Sequence, residues 1–250
     1  MTNQIARSFI LEQVRNRGVL FGNLFPAFIF IICSWISKIS LINNPDTVDY
    51  LIKGQFLPIS LMMLLFTFSL SGATIYLADL KANKTYHWLK RTNVSPFTYY
   101  FGMGIGVFLL MNVSLVFILL AYAIIIHISL PSFFIILLIC NFVFLAFYPT
   151  SFILAGIFKN GKIAQSMLVP VLITFIFSIT MPSMFLTISG KNPQDYYIFL
   201  SWNPMLYLND MLQYQLNIIH DMWLSYGKYA VILLFFSFVL SLLAKKTYQK

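Results

Sequence analysis

Charge is what this sequence has least of. Charged residues make up 9% of its 250 positions, hydrophobic residues 60%, and the mean hydropathy is +0.83. A soluble domain carries about 25% charge, so a water-soluble globular fold is excluded. Intrinsic disorder is excluded as well, because it requires low hydrophobicity and high charge. The alternating pattern of a membrane β-barrel is missing; its strands alternate over about 10 residues, and here the apolar runs are long and continuous. Cysteine is scarce too. Cys33 and Cys140 both lie inside apolar runs, so they read as small buried hydrophobes and imply no disulfide framework. No Asp, Glu, Lys or Arg stands in the interior of a long apolar run. A central membrane charge costs about 2.5–3.5 kcal/mol on insertion scales and marks an ion or proton path. Its absence argues against a proton-coupled carrier, a proton pump or a voltage sensor. His87, His127 and His220 fall at unmatched levels, and nothing pairs them as haem ligands.

What remains is a chain of membrane spans at roughly 20 residues each. The sequence predicts an all-α polytopic protein, a single transmembrane domain over 1–250. Its six transmembrane helices are placed at about 18–38, 54–77, 97–126, 132–157, 163–188 and 228–244. Residues 2–17 read as an interfacial amphipathic helix, with Ile5, Ala6, Phe9, Ile10 and Val14 on one side. No small-residue cleavage site follows span one, so it is a retained span and no signal peptide. Spans three and four are separated only by a tight turn at Ile128–Pro131 and form a hairpin. In the long outer loop, 189–227, Asn203-Pro204 supply an N-cap and a first helical residue. An amphipathic helix over 203–219 follows, with Asn209, Gln213 and Asn217 as a polar strip beside Asp210. It either lies in the interface or dips in as a re-entrant element buried against protein, and could form an external lid. No room is left for a sizeable soluble domain, so any energy-converting domain belongs to another chain.

Lys and Arg near the span ends set the orientation. The N-terminus, 78–96, 159–162 and the tail carry twelve of the sixteen basic residues, against Glu12 and Asp79 as acids. The other side holds Lys38, Lys53, Lys191 and Lys228 against five aspartates. Both termini are therefore expected in the cytoplasm, which suits an even number of spans. The basic balance is a topology signal, and no nucleic-acid binding is read from it.

Two motifs mislead. Residues 156–163, GIFKNGKI, fall one residue short of a P-loop, since Ile163 stands where Ser or Thr must reach Mg²⁺; the strand and nucleotide fold that motif requires are missing too. Gly102, Gly104 and Gly106 lack the third spacing of a dinucleotide fingerprint. Gly102 and Gly106 form GxxxG instead, which lets membrane helices pack closely.

The stretch 78–96 is too long for a turn and too polar for the membrane. Tyr86, Trp88 and Leu89 present apolar bulk beside Lys84, His87, Lys90 and Arg91. That composition suits a short helix docking into a partner's groove as well as it suits an ordinary solvated loop. The order of parts resembles the type-2 ABC transporter permeases. The residues that carry the resemblance are DLKANKTYHWLKRTNVSPFTYYFGMGIG, 79–106: Asp79, a short helix, the basic pair Lys90-Arg91, Thr92, Ser95-Pro96, then Tyr99 or Tyr100 entering span three. The segment FLSWNPMLYLNDML, 199–212, resembles the Pro-containing outer helix of that family. One departure is visible: the family often has an acid soon after Gly161, and here Gln165 stands near it.

The resemblance implies a transport subunit without an ATPase site of its own. Two permease chains, as a homodimer or heterodimer in contact with membrane lipid, would pair with two ABC ATPase subunits. Those subunits would bind ATP and Mg; this chain would hold no cofactor or metal. The helix at about 82–91 would be the coupling helix, and the Lys159–Lys162 loop a second contact. Glu12 would pair with Lys90 or Arg91. Substrate would pass between two copies along spans two and five, past Phe66, Thr67, Ser69 and Ser71 and past Thr174, Phe175, Phe177, Ser178 and Thr180. A path without charge suits an amphipathic or lipid-like cargo. The short chain and Phe-rich spans resemble exporters of amphipathic peptides, such as phenol-soluble-modulin and bacteriocin-immunity systems. Permeases for drugs, sodium or polysaccharide share the architecture. An integral membrane enzyme or a channel is the rival class, and the outer acids Asp195, Asp210 and Asp221 are too dispersed for an enzyme site. Lys outnumbers Arg by 12 to 4, which fits an AT-rich bacterial genome and a bacterial cell membrane.

Overall fold

The computed structural model describes residues 1–83 and 94–248. It is all-α among those residues, with six helices long and apolar enough to cross a membrane. Helix α1 (Thr2–Arg15) leads into α2 (Arg17–Ser40). Helix α3 (Pro45–Ala82) is one continuous rod with two wide π-type turns, Ile52–Phe56 and Phe66–Gly72. Then come α4 (Pro96–Ile125), α5 (Leu130–Ile157) and α6 (Gly161–Ile188). A 3₁₀ turn (Pro193–Tyr196) and one α-turn (Tyr197–Leu200) lead to α7 (Pro204–Gln215), and α8 (Tyr226–Tyr248) ends the described chain.

The stops and starts follow from local chemistry. Ser95, Ser129 and Asn160 cap α4, α5 and α6 by accepting from the backbone N–H of Thr98, Ser132 and Ile163, groups that would otherwise lack an intrahelical partner. Helix α6 ends where Gly190 takes φ +71°, with Lys191 N–H reaching Leu186 O and Gly190 N–H reaching Thr187 O. Helix α7 ends the same way, with Asn217 at φ +58° and Ile218 N–H on Gln213 O. Both are left-handed caps, for which Gly and Asn are the suitable residues.

Helix α3 exceeds the predicted 54–77 at both ends. At its 38 residues and 1.5 Å per residue it is about 57 Å long, well beyond a hydrocarbon core of about 30 Å. Its N-terminal extension starts at Asn44-Pro45 and carries an Asp49–Lys53 ion pair one turn apart. The charges that marked a loop in the sequence are the solvated end of a helix.

Helix α3 is also the centre of the fold. Two-thirds of its most apolar window is buried (67%), against 11% of that in α2. Leu57, Leu61, Leu64, Leu65 and Leu70 of α3 are fully enclosed, as are Cys140 and Ala146 of α5. Cys33 is half-buried, and both cysteines are free. Outward, Phe21, Phe25, Ile36, Phe117, Ile124, Phe185 and Phe235 are exposed. An apolar surface of that extent belongs in lipid or against another chain.

Polar side chains hold the helices together inside this apolar mass. Ser60 donates to Ala27 O at 3.1 Å and Thr67 to Asn23 O at 2.8 Å, fastening α3 to α2. Asn112 of α4 and Asn141 of α5 exchange amide hydrogen bonds at 2.9 and 3.0 Å, the interhelical bonding expected where no water competes. The three glycines of α4 face two ways. A Cβ on Gly102 or Gly106 would meet Ile5 or Phe9 of α1 at 2.8 or 2.9 Å, while one on Gly104 would meet Tyr148 of α5 at 2.9 Å. The GxxxG pair thus seats α1 rather than another span.

Helix α7 takes the re-entrant one of its two expected placements, and is shorter than the expected 203–219. Every residue from Pro204 to Gln213 is buried, so it has no interface-facing side, and the Asn209 and Gln213 strip points into protein. Asn217 lies past its end. Its N-cap Asn203 donates to Phe175 O at 2.7 Å and to Ser178 Oγ at 3.2 Å. Phe175 lies 13 residues before the end of α6, about 20 Å at helical rise. The outer loop therefore dips to mid-span and returns as α7, enclosed by protein as backbone at that depth must be.

Candidate functional site

The C-terminal ends of α3 and α5 and the start of α6 are locked together. Asp79 on α3 accepts from the backbone N–H of Gly161, the first residue of α6, at 2.8 Å. Lys81, two residues on, donates to Gly156 O at the end of α5 at 2.7 Å. The carboxylate thus sits at the positive end of α6, where a negative charge is favoured. Gly161 is required there, because a Cβ would stand 2.4 Å from both carboxylate oxygens. The residues of the near-P-loop accordingly make a helix junction: Gly156 takes the lysine, Asn160 caps α6 and Gly161 admits Asp79. Lys159 and Lys162 flank this junction and are exposed.

Helix α1 joins the same end. Glu12 accepts from the Tyr76 hydroxyl of α3 at 2.9 Å, and Phe9 meets the Tyr76 ring edge-on at 5.1 Å. Lys84, Tyr86, His87, Trp88, Leu89, Lys90 and Arg91 lie outside the described residues, so the pairing of Glu12 with Lys90 or Arg91 does too.

From this end a groove of about 700 Å³ runs along α2, α3 and α6. Glu12 and Asp79 stand at its mouth, with Asn16, Asn83 and Gln165. Farther along, Asn23, Thr67 and Ser71 line it together with Phe66, Leu168, Val169 and Leu172. The π-type turn Phe66–Gly72 forms its α3 wall, and such wide turns are frequent at functional sites. Gly72 is needed there, since a Cβ would stand 2.9 Å from Thr67 O and 3.3 Å from the Asn23 amide nitrogen.

The chain belongs to the ABC-2 family of transporter proteins. The family described as ABC-2 family transporter protein matches residues 36–245, most of the chain and five of the six spans entire. No curated protein matches it. The permease is therefore a multi-pass membrane subunit of an ABC transporter, and its family implies an ABC ATPase as partner.

The path residues expected from sequence divide between groove and scaffold. Phe66, Thr67 and Ser71 line the groove. Ser69 is fully buried and donates back to Leu65 O. The expected residues of α6 lie beyond the groove. Phe175 packs on the rings of Phe147 and Trp202, and Ser178 receives Asn203, so both hold α7 in place. Thr180 is buried and bonds back to Ile176 O. Thr174 and Phe177 are exposed, and Thr174 bonds to Pro170 O. Asn23, Tyr76 and Gln165 were missed. A polar residue inside the apolar run of α2 was the available signal for Asn23, and Gln165 stood out only as the residue in place of the family's usual acid; for Tyr76 there was no signal.

A second polar centre lies around α7. Asp210 of α7 is fully buried and accepts from the Tyr229 hydroxyl at 2.6 Å, Trp223 N–H at 3.0 Å and Gln194 Nε2 at 3.2 Å. Burial pushes its carboxyl above the usual range, and the three donors only partly offset this. The network ties α7 to α8 and to both strands of the outer loop.

Proposed function

We propose that the permease is the membrane half of an ATP-driven exporter whose cargo, an amphipathic peptide or lipophilic compound, passes between two copies of the chain. The observation that carries this reading is the groove along α2, α3 and α6: acidic at the end that holds Glu12 and Asp79, and lined without charge by polar and apolar side chains along the rest. Such a lining accepts a molecule with one wet and one greasy side and offers no buried charge to conduct an ion. Both termini and the Asp79–Gly161 junction face the cytoplasm of a bacterial cell in this reading. Separate ATPase subunits, two per transporter, bind ATP and Mg and seat the segment around Trp88, Lys90 and Arg91. The junction then passes their movement to α3, α5 and α6, the first and last of which wall the groove.

The test is to purify the tagged chain from membranes and measure ATP hydrolysis. Wild type is compared with Trp88→Ala and with the double change Lys90→Glu/Arg91→Glu. A cassette ATPase should co-purify with the wild type and be lost or uncoupled in the variants, and amphipathic peptides should stimulate hydrolysis. An unchanged complex and unchanged hydrolysis in both variants would refute the coupling assignment.

A further inference from the structure

A second groove, of about 440 Å³, lies between α4, α5 and α8, none of which lines the translocation groove. Its volume is that of a small-molecule site, about 300–1,000 Å³. Its walls are the rings of Phe101, Phe152 and Phe238, and Phe238 is 62% exposed. Tyr100 and Ser241, whose hydroxyls stand 3.5 Å apart, form a polar step in this apolar surface. Lys245 is the one charged residue among the described lining residues, and no acid stands among them.

We propose that this groove binds one anionic phospholipid. Its phosphate rests on Lys245, its ester region meets the Tyr100 and Ser241 hydroxyls, and an acyl chain lies on the phenylalanine rings. The chemistry is layered as a phospholipid is: cation, then hydroxyls, then hydrocarbon. Charge complementarity selects the headgroup, because a lysine at the membrane surface attracts anionic lipid and a zwitterionic lipid offers it no net charge. The cytoplasmic orientation proposed above places Lys245 at the leaflet where anionic headgroups concentrate. Recognition itself does not need that orientation, so the test below stands apart from the transport reading.

The test uses the full chain in phosphatidylcholine nanodiscs, with Phe238→Trp as a reporter indole. Quenching is measured with equal small fractions of chain-brominated phosphatidylglycerol or phosphatidylcholine. The parent chain, with its four tryptophans, supplies the background. Brominated phosphatidylglycerol should win by about five-fold in apparent affinity, the contribution of one lysine near the surface. Lys245→Gln should abolish the preference and leave quenching by both lipids. Lys228→Gln, at the other end of α8, should leave the preference intact. If Phe238→Trp does not yield a folded chain, Leu242→Trp on the same wall carries the readout. Equal quenching with Lys245 in place overturns the proposal, as does a preference that survives Lys245→Gln. So does no quenching by either lipid, which would mean that the groove is filled by another occupant such as residues 84–93.

Discussion

The carboxylate of Asp79 and the backbone N–H of Gly161 meet at 2.8 Å, joining residues 82 positions apart at the ends of two different spans. The bond leaves no space for a side chain at 161. Gly161→Ala should therefore cost about 1–3 kcal/mol, the usual price of overpacking, and loosen the junction. Thermal unfolding of the purified permease should show the loss, and ATP hydrolysis by the co-purified ATPase should become less responsive to cargo. An alanine variant with wild-type stability and stimulation would show that the junction is slack.

The glycines of α4 make a directional prediction. Gly102→Leu and Gly106→Leu should displace α1, where Ile5 and Phe9 now touch the bare backbone. Trypsin should then cut faster at Arg7 and Arg15. Gly104→Leu should instead disturb Tyr148, whose hydroxyl donates to Tyr100 O at 2.7 Å, and leave the tryptic rate at α1 unchanged.

Asn112 and Asn141 satisfy each other reciprocally. Asn112→Leu or Asn141→Leu alone leaves one amide without its partner. The double change leaves none, so it should cost less than the sum of the two singles. The coupling from a double-mutant cycle should be about 1–2 kcal/mol for the pair, at the upper end for membrane hydrogen bonds. Additive single effects would mean that the pair is not formed.

Asp210 sets a pH dependence. Because burial raises its carboxyl above the ordinary range, the folded chain binds this proton more tightly than the unfolded chain does. Its contribution to stability is therefore fully present below the unfolded carboxylate pKa and is lost as pH rises through the raised folded value. Asp210→Asn has no such proton to gain. The apparent Tm of wild type relative to Asp210→Asn should rise as pH falls from 7 toward about 4. A constant difference across that range would place Asp210 in water.

Much of the fold was legible because the membrane simplifies the code. Long uncharged runs have one stable form in lipid, so the six helices could be read from hydropathy, and Asn203 caps α7 as its place before Pro204 suggested. What misread was charge near span ends. Asp46, Asp49 and Lys53 look like loop in a hydropathy profile, yet they are the solvated turns of α3. The polar strip of α7 left two placements open, because Asn209 and Gln213 fit water by composition, and tertiary packing takes the enclosed one. The candidate site was half legible. Phe66, Thr67 and Ser71 follow from the small and polar residues of α3, but the same signal in α6 marked Phe175 and Ser178, which brace α7. The Asp79–Gly161 bond could not be read at all, because a contact across 82 residues leaves no local pattern.

The wide turn at Phe66–Gly72 has a consequence for the two ends of α3. A π-type turn holds one residue more than the α-turn it replaces, so everything after it is rotated by about 100° against everything before. That phase offset aims Tyr76 at Glu12 and Asp79 at Gly161 while Ser60 still reaches Ala27. The width of this turn, more than residue type, sets the aim. Tightening it to ordinary α geometry without removing a residue would turn the last part of the rod like a key in a lock, and both contacts would point away from their partners.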